Sequence, residues 1–173
     1  MAQDELLDLV NKQDEVIGTV WKSVAHKDPS LIHREVAVIV FNDRKETLLQ
    51  QRSMQKKLLP GLWTVTAAGH ILAGENPKVA IERELKEELG ISVDLIFDSK
   101  RLYTFAAAET KFLYLYYGLV HGRPRTTLQP EEVMATDWVP VNKIEDFAKN
   151  HSYNLESYSH TKIMELAKKL GLL

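Results

Sequence analysis

The chain has 173 residues, 45% apolar and 27% charged, with a formal net charge of −2. That is the ordinary range for one globular domain with a real core. It excludes the global basic field expected of a nucleic-acid binder, so an anionic ligand would need local basic groups or a bridging cation.

Cysteine is absent, which removes disulfides, thiolate metal sites and a cysteine nucleophile. No apolar run approaches the roughly 18 residues of a membrane span, and the acidic stretch from Met1 to Leu9 has no basic-then-apolar leader pattern. The expectation is a single cytoplasmic domain with neither a membrane nor a nucleic-acid partner.

In chain order, residues 6–10 and 16–20 are short apolar runs around a polar turn, the pattern of a hairpin. Residues 36–41 form a β-branched run that reads as a buried strand, and after a polar turn residues 47–51 read as a second. Pro60-Gly61 interrupts the chain before a strand at 62–68. Asn76-Pro77 is a strong helix start, with Asn suited to the cap and Pro to the first turn, and Gly90 is suited to end that helix. Residues 91–97, 101–105 and 112–120 read as strands, and 131–139 as a loop with a short strand. Residues 141–149 and 157–170 have helical periodicity. Ile163, Leu166, Ala167 and Leu170 share one stripe of the last helix, suited to core packing or to a homodimer interface. This order of elements predicts an α/β fold, a mixed sheet with helices on both faces.

The most informative segment is GHILAGENPKVAIERELKEELGI, residues 69–91. At about 100° per residue, Glu84, Glu87 and Glu88 fall on one side of the helix, beside the apolar stripe of Ile81, Leu85 and Leu89. Partly buried carboxylates about 6 Å apart repel by nearly 3 kcal/mol at an effective dielectric of about 20. A hard divalent cation would offset that repulsion, while a solvated acidic face with Lys78, Arg83 and Lys86 as neighbours would avoid it. Spacing alone leaves both readings open.

The full pattern resembles the Nudix box, G-x5-E-x7-R-E-U-x-E-E-x-G-U with U a bulky aliphatic. Gly69, Glu75, Arg83, Glu84, Leu85, Glu87, Glu88, Gly90 and Ile91 fill its fixed positions. The resemblance implies a Nudix-type α/β/α sandwich at residues 33–173, with residues 1–32 as a hairpin extension. It implies hydrolysis of a diphosphate bond in a nucleoside diphosphate linked to another group, or in a similar small organic diphosphate. Mg²⁺, or alternatively Mn²⁺, would be held by Glu84, Glu87, Glu88 and the carbonyl of Gly69. Glu75 and Arg83 would pair as supports. The general base would be Glu87, Glu88 or a later loop glutamate, with Glu132 and its neighbour Glu131 as loop candidates.

A second resemblance runs through AHKDPSLIHREVAV and LLQQRSMQKKLLPGLWT to the Gly69-His70 pair. This text is similar to isopentenyl-diphosphate isomerases and the Nudix hydrolases nearest them. His26, His33 and His70 fall where those isomerases place metal-binding histidines, although hydrogen-bonded structural histidines suit the same positions. Arg52 and Lys56 fall in a segment those enzymes use near diphosphate, although a sheet-edge arginine and a solvated lysine suit the same positions. Trp63 and Tyr103 are candidates for stacking a base, although aromatics in strands more often pack in the core.

Two departures argue against isomerase chemistry. Ala68 stands at the position of the isomerase cysteine, and Glu109-Thr110-Lys111 replaces an E-x-E pair. A nucleotide-binding module without turnover is a third reading, which a complete glutamate set disfavours.

Overall fold

A computed structural model describes residues 4–105, 109–153 and 160–173. Strands β1 (Leu6–Val10) and β2 (Val16–Trp21) pair as the expected hairpin, followed by a single helical turn, α1 (Lys22–Ala25). The main sheet contains β3 (His33–Asn42), β4 (Glu46–Arg52), β5 (Trp63–Thr64), β6 (Ala67–His70), β7 (Leu95–Phe105), β8 (Glu109–Val120) and β9 (Val133–Pro140). Its central path runs β5-β4-β3-β8-β7, with β6 also on β3 and β9 also on β4. The β3–β8 pair is parallel and its neighbours are antiparallel, so the sheet is mixed.

Alternation along β3 explains the layering. Val36, Val38 and Val40 pack towards helix α2 (Pro77–Leu89) with Ile81, Leu85 and Leu89. Ala37, Ile39 and Phe41 pack on the opposite face against α3 (Ile144–Asn150) and α4 (His160–Lys169), through Ile144, Ile163 and Leu166. A strand buried on both faces is a near-continuous apolar run because its side chains alternate in direction. The result is the expected α/β/α sandwich.

Three boundaries differ from the sequence reading. The strand expected at 62–68 divides into β5 and β6. At the break, Thr66 turns inward, its hydroxyl donating to the Leu48 carbonyl at 2.6 Å and accepting from Val40 N at 2.9 Å. The runs 91–97 and 101–105 merge into one bulged strand, β7, whose register shifts between Phe97 and Ser99. A 3₁₀ turn, Val141–Lys143, precedes α3. The expected start of the last helix at residues 157–159 lies outside the described residues. From His160 on, Ile163, Leu166 and Ala167 of the predicted stripe are buried in the core.

The hairpin is tied to the sheet by buried charge. Arg34 on β3 donates to Asp14 Oδ1 at 2.7 Å and approaches Asp8 Oδ2 at 3.3 Å, and Lys100 on β7 reaches Asp14 at 2.7 Å. Ala73 N donates to Leu6 O, which presses the hairpin onto the loop before α2. Among the described residues no helix is long and apolar enough to cross a membrane.

Candidate active site

Local sequence sets α2. The Asn76 side chain accepts from Lys78 N at 2.9 Å, Pro77 opens the helix, and Gly90 closes it in the left-handed region at φ 67°. The helix lies against β6 so closely that a Cβ on Gly69 would sit 2.1 Å from Cδ of Glu84. Glycine at this position is what lets the Glu84 carboxylate rest on the β6 backbone.

Glu75 and Arg83 pair as expected. Arg83 Nε donates to Glu75 Oε1 at 2.9 Å and Nη2 to Oε2 at 3.0 Å, the two-pronged match of a guanidinium to a carboxylate. Nη2 also donates to the His70 carbonyl at 3.0 Å, and Nη1 to Glu84 Oε1 at 2.7 Å and Glu87 Oε2 at 3.3 Å. One guanidinium therefore ties the loop, β6 and two of the three box glutamates together.

The three glutamates differ. Glu84 and Glu88, one turn apart, point inward, whereas Glu87 lies on the flank and is half exposed. Burial pushes Glu84 up to about 7 against the pull of Arg83. Burial, followed by the charge of Glu84, pushes Glu88 up to about 8. Two inward carboxylates that cannot both ionise cheaply are a ready receptor for a divalent cation.

Glu88 lies beneath β4. Gln50 Nε2 donates to Glu88 Oε2 at 3.0 Å. The charges of Glu132 and Lys56 both act on Glu88, and these two side chains form an ion pair with each other. Glu132 is also held by its backbone, its carbonyl accepting from Ser53 N at 2.8 Å and its amide donating to Gln129 O at 2.9 Å. Arg52 is turned the other way, with Nε and Nη2 both donating to the Leu58 carbonyl and closing the 53–61 loop.

Trp63 departs from the expectation. It pairs with Gln51, one residue off the Gln50–Thr64 pair, so alternation turns it to the other face of the sheet. There it meets Phe147 edge-on at 5.2 Å in the α3–α4 layer. Tyr103 likewise packs against that layer, with its hydroxyl donating to Glu35 at 3.1 Å.

The histidines converge. The candidate ligand atoms of His26, His33 and His70 all lie within 4.8 Å of one another, and His26 Nε2 is 3.0 Å from His70 Nε2. Glu109 approaches His26 Nδ1 at 3.3 Å. Buried Lys111 bonds Glu35 at 2.7 Å and Glu109 at 3.2 Å. Burial and then the Lys111 charge hold His33 down at about 4, and burial holds His26 and His70 below the usual histidine range.

Gln50 and Glu35 were not singled out as site residues in the sequence, and Glu109 and Lys111 entered only as a departure from the isomerase pair. For Gln50 a signal existed: it repeats the α2-facing position of Leu48 two residues on, in a strand that is otherwise buried. A polar residue there has to answer to something.

The family model for the NUDIX domain matches residues 31–158. The chain belongs to the Nudix family. Within it, the chain is 35% identical over 147 residues to an isopentenyl-diphosphate Delta-isomerase of Serratia proteamaculans, covering 83% of this chain and 80% of that one. It is 33% identical over 139 residues to an uncharacterized Nudix hydrolase of Listeria innocua, covering 80% and 81%. The fold matches a Deinococcus radiodurans protein at a TM-score of 0.73 and 21% identity, covering 95% of this chain and 98% of that one. It also matches the E. coli dihydroneopterin triphosphate pyrophosphohydrolase at 0.62 and 18%, covering 84% and 99%.

Nudix proteins generally use divalent metals, and the α2 pocket of this Nudix domain fits such an ion. Its donors are hard carboxylate oxygens, that of Glu88 buried and that of Glu84 largely so, and a polar atom beside Glu88, Gln50 Oε1, is buried with no partner among the described residues.

Proposed function

We propose that this Nudix protein hydrolyses a diphosphate bond in a small molecule, a nucleoside diphosphate linked to another group or a similar organic diphosphate, with Mg²⁺ or Mn²⁺ as cofactor. The observation that carries this reading is the pair of inward carboxylates, Glu84 and Glu88, held by Gly69, Arg83 and Gln50. A divalent cation bound there would neutralise phosphate oxygens and make an attacking water more acidic.

The chain's own groups supply the rest. Glu84 and Glu88, with Glu87 swung in from the helix flank, hold the cation. Arg83 fixes the orientation of Glu84 and Glu87 and keeps the Glu75 loop closed over β6. Lys56, whose charge acts on Glu88, can take up a terminal phosphate, and in doing so it releases the Glu132 carboxylate. Glu132, freed in this way, would accept the proton of the attacking water, with Glu87 and Glu88 as alternatives for the same role.

The test is a panel of nucleoside diphosphate derivatives and non-nucleotide diphosphates assayed with Mg²⁺ and Mn²⁺, reading released phosphate or monophosphate. Glu87→Gln and Glu88→Gln should each lower turnover by about two orders of magnitude or more, in line with the loss of a preorganised charge contact. Unchanged rates in both would remove these residues from the mechanism.

A second reading, isomerisation of isopentenyl diphosphate, is favoured by the convergence of His26, His33 and His70. His33 Nε2 is buried without a partner among the described residues, as a metal ligand would be. Ala68 and Lys111 oppose it, because they leave the pocket without the thiol and the second carboxylate that acid–base chemistry at carbon requires. Incubation with isopentenyl diphosphate, followed by product analysis for the allylic isomer, decides between the two readings.

A further inference from the structure

Gln50 lies outside the Nudix box, on β4, and is 2% exposed. Its amide is used at one end only. Nε2 donates to Glu88 Oε2 at 3.0 Å, while Oε1 is buried with no hydrogen-bond partner among the described residues. Opposite it on β5, Thr64 is also 2% exposed, and its hydroxyl is likewise unpartnered. Residues directly paired across two strands share a face, with Cβ atoms about 5 Å apart. Both side chains therefore project from the sheet face that Glu88 meets through Gln50.

Leaving a buried polar atom unpaired costs about 1–3 kcal/mol, so a fold that retains two beside one carboxylate calls for a ligand. The amide orientation is fixed by its neighbour: reversing it would set Oε1 against the Glu88 carboxylate, oxygen to oxygen, once that group is ionised. The free atom is then an acceptor, the type a hard cation and its hydration shell require.

We propose that Gln50 belongs to the metal site, with Oε1 as an oxygen donor to the hydrated divalent cation held by Glu84 and Glu88, and Nε2 locking Glu88 so that its other oxygen faces the ion. Thr64 supplies a hydroxyl to the same shell. This inference rests on the hydrolase reading's placement of the metal, and it adds a sheet-side wall to a site otherwise carried by α2. It makes Gln50 a positioning residue for Glu88 as well as a donor.

The test is Mn²⁺ binding, followed by the loss of the free-ion electron paramagnetic resonance signal, in wild type, Glu84→Gln, Gln50→Leu and Gln50→Glu. Thermal unfolding is measured alongside in EDTA and in Mg²⁺. Gln50→Leu should weaken Mn²⁺ binding about 10-fold or more, the range for supporting residues of metal sites. Its melting temperature in EDTA should change little, because the unsatisfied Oε1 is removed together with the Nε2–Glu88 bond, while the increment gained from Mg²⁺ shrinks. Gln50→Glu keeps an oxygen in place and should bind Mn²⁺ at least as well as wild type.

If Gln50→Leu lowers stability in EDTA but binds Mn²⁺ like wild type, Gln50 is only a packing and hydrogen-bonding residue and the proposal is overturned. If wild type and Glu84→Gln bind Mn²⁺ equally weakly, the metal placement itself fails and this inference falls with it. Those two failures are distinguished by the Glu84→Gln arm.

Discussion

A methyl group at Gly69 would collide with the carboxyl carbon of Glu84 at 2.1 Å. The glycine is held in register with Val36, so the Glu84 carboxylate, the end of a flexible side chain, is the part that must move, giving up its bond to Arg83. Gly69→Ala should therefore evict Glu84 from the pocket and leave α2 folded. Divalent-metal affinity and hydrolysis should fall together by at least 10-fold, about the cost of disturbing a ligand's support, while the circular dichroism of the helix is retained. Equal metal affinity in mutant and wild type would show that Glu84 does not need this seat. The Glu75–Arg83 pair acts at the same scale. Glu75→Ala frees one guanidinium from its two-pronged bond and leaves it to compete for Glu84 and Glu87, so activity should drop with a smaller change in stability.

At the scale of elements, α2 carries the proposed metal ligands and its ends are specified twice, locally and by its neighbours. Gly90 takes a left-handed conformation, and a Cβ there would also meet Thr127 Cβ at 2.9 Å. Gly90→Ala should cost about 1 kcal/mol for the backbone alone, with crowding added. Asn76→Ala should cost about 1 kcal/mol through the lost cap. Urea unfolding reads both. Gly90→Ala should also impair activity, because the 127–129 segment that bonds the carbonyls of Glu88 and Leu89 leads directly to Glu132.

For the molecule as a whole, the buried titratable groups set a pH dependence with two opposing parts. Glu84 and Glu88 hold protons up to about 7 and about 8, compared with 4.5 for free glutamate. Their contribution is present below 4.5 and is lost as pH rises through the folded values. His33 titrates near 4, compared with 6.5, and His26 and His70 are also lowered. Their contribution is present above 6.5 and is lost as pH falls. Between 4.5 and 6.5 the two sets oppose each other, so the clear window is pH 6.5 to 8. There the melting temperature in EDTA should decline with pH. Saturating Mg²⁺ should flatten that decline, because an ion stabilises the ionised carboxylates and displaces their protons. The same slope with and without Mg²⁺ would place the ion away from these groups.

The sequence by itself determined what depends on near neighbours in the chain. The bounds of α2 followed from Asn76-Pro77 and Gly90. The hairpin followed from two apolar runs, the two-sided burial of β3 from its β-branched run, and the Glu75–Arg83 pairing from the resemblance to the box. Tertiary structure decided everything that depends on sheet register and on which strands become neighbours. Register sent Trp63 to the α3 face and Gln50 to Glu88, although the two residues lie on adjacent paired strands, because side chains alternate and a single position reverses the face. It also brought together His26, His33 and His70, which come from the segment after α1, from β3 and from β6. Their meeting depends on the antiparallel β3–β6 pairing and on how the hairpin is anchored through Arg34, interactions between residues too distant in the chain for local periodicity to encode.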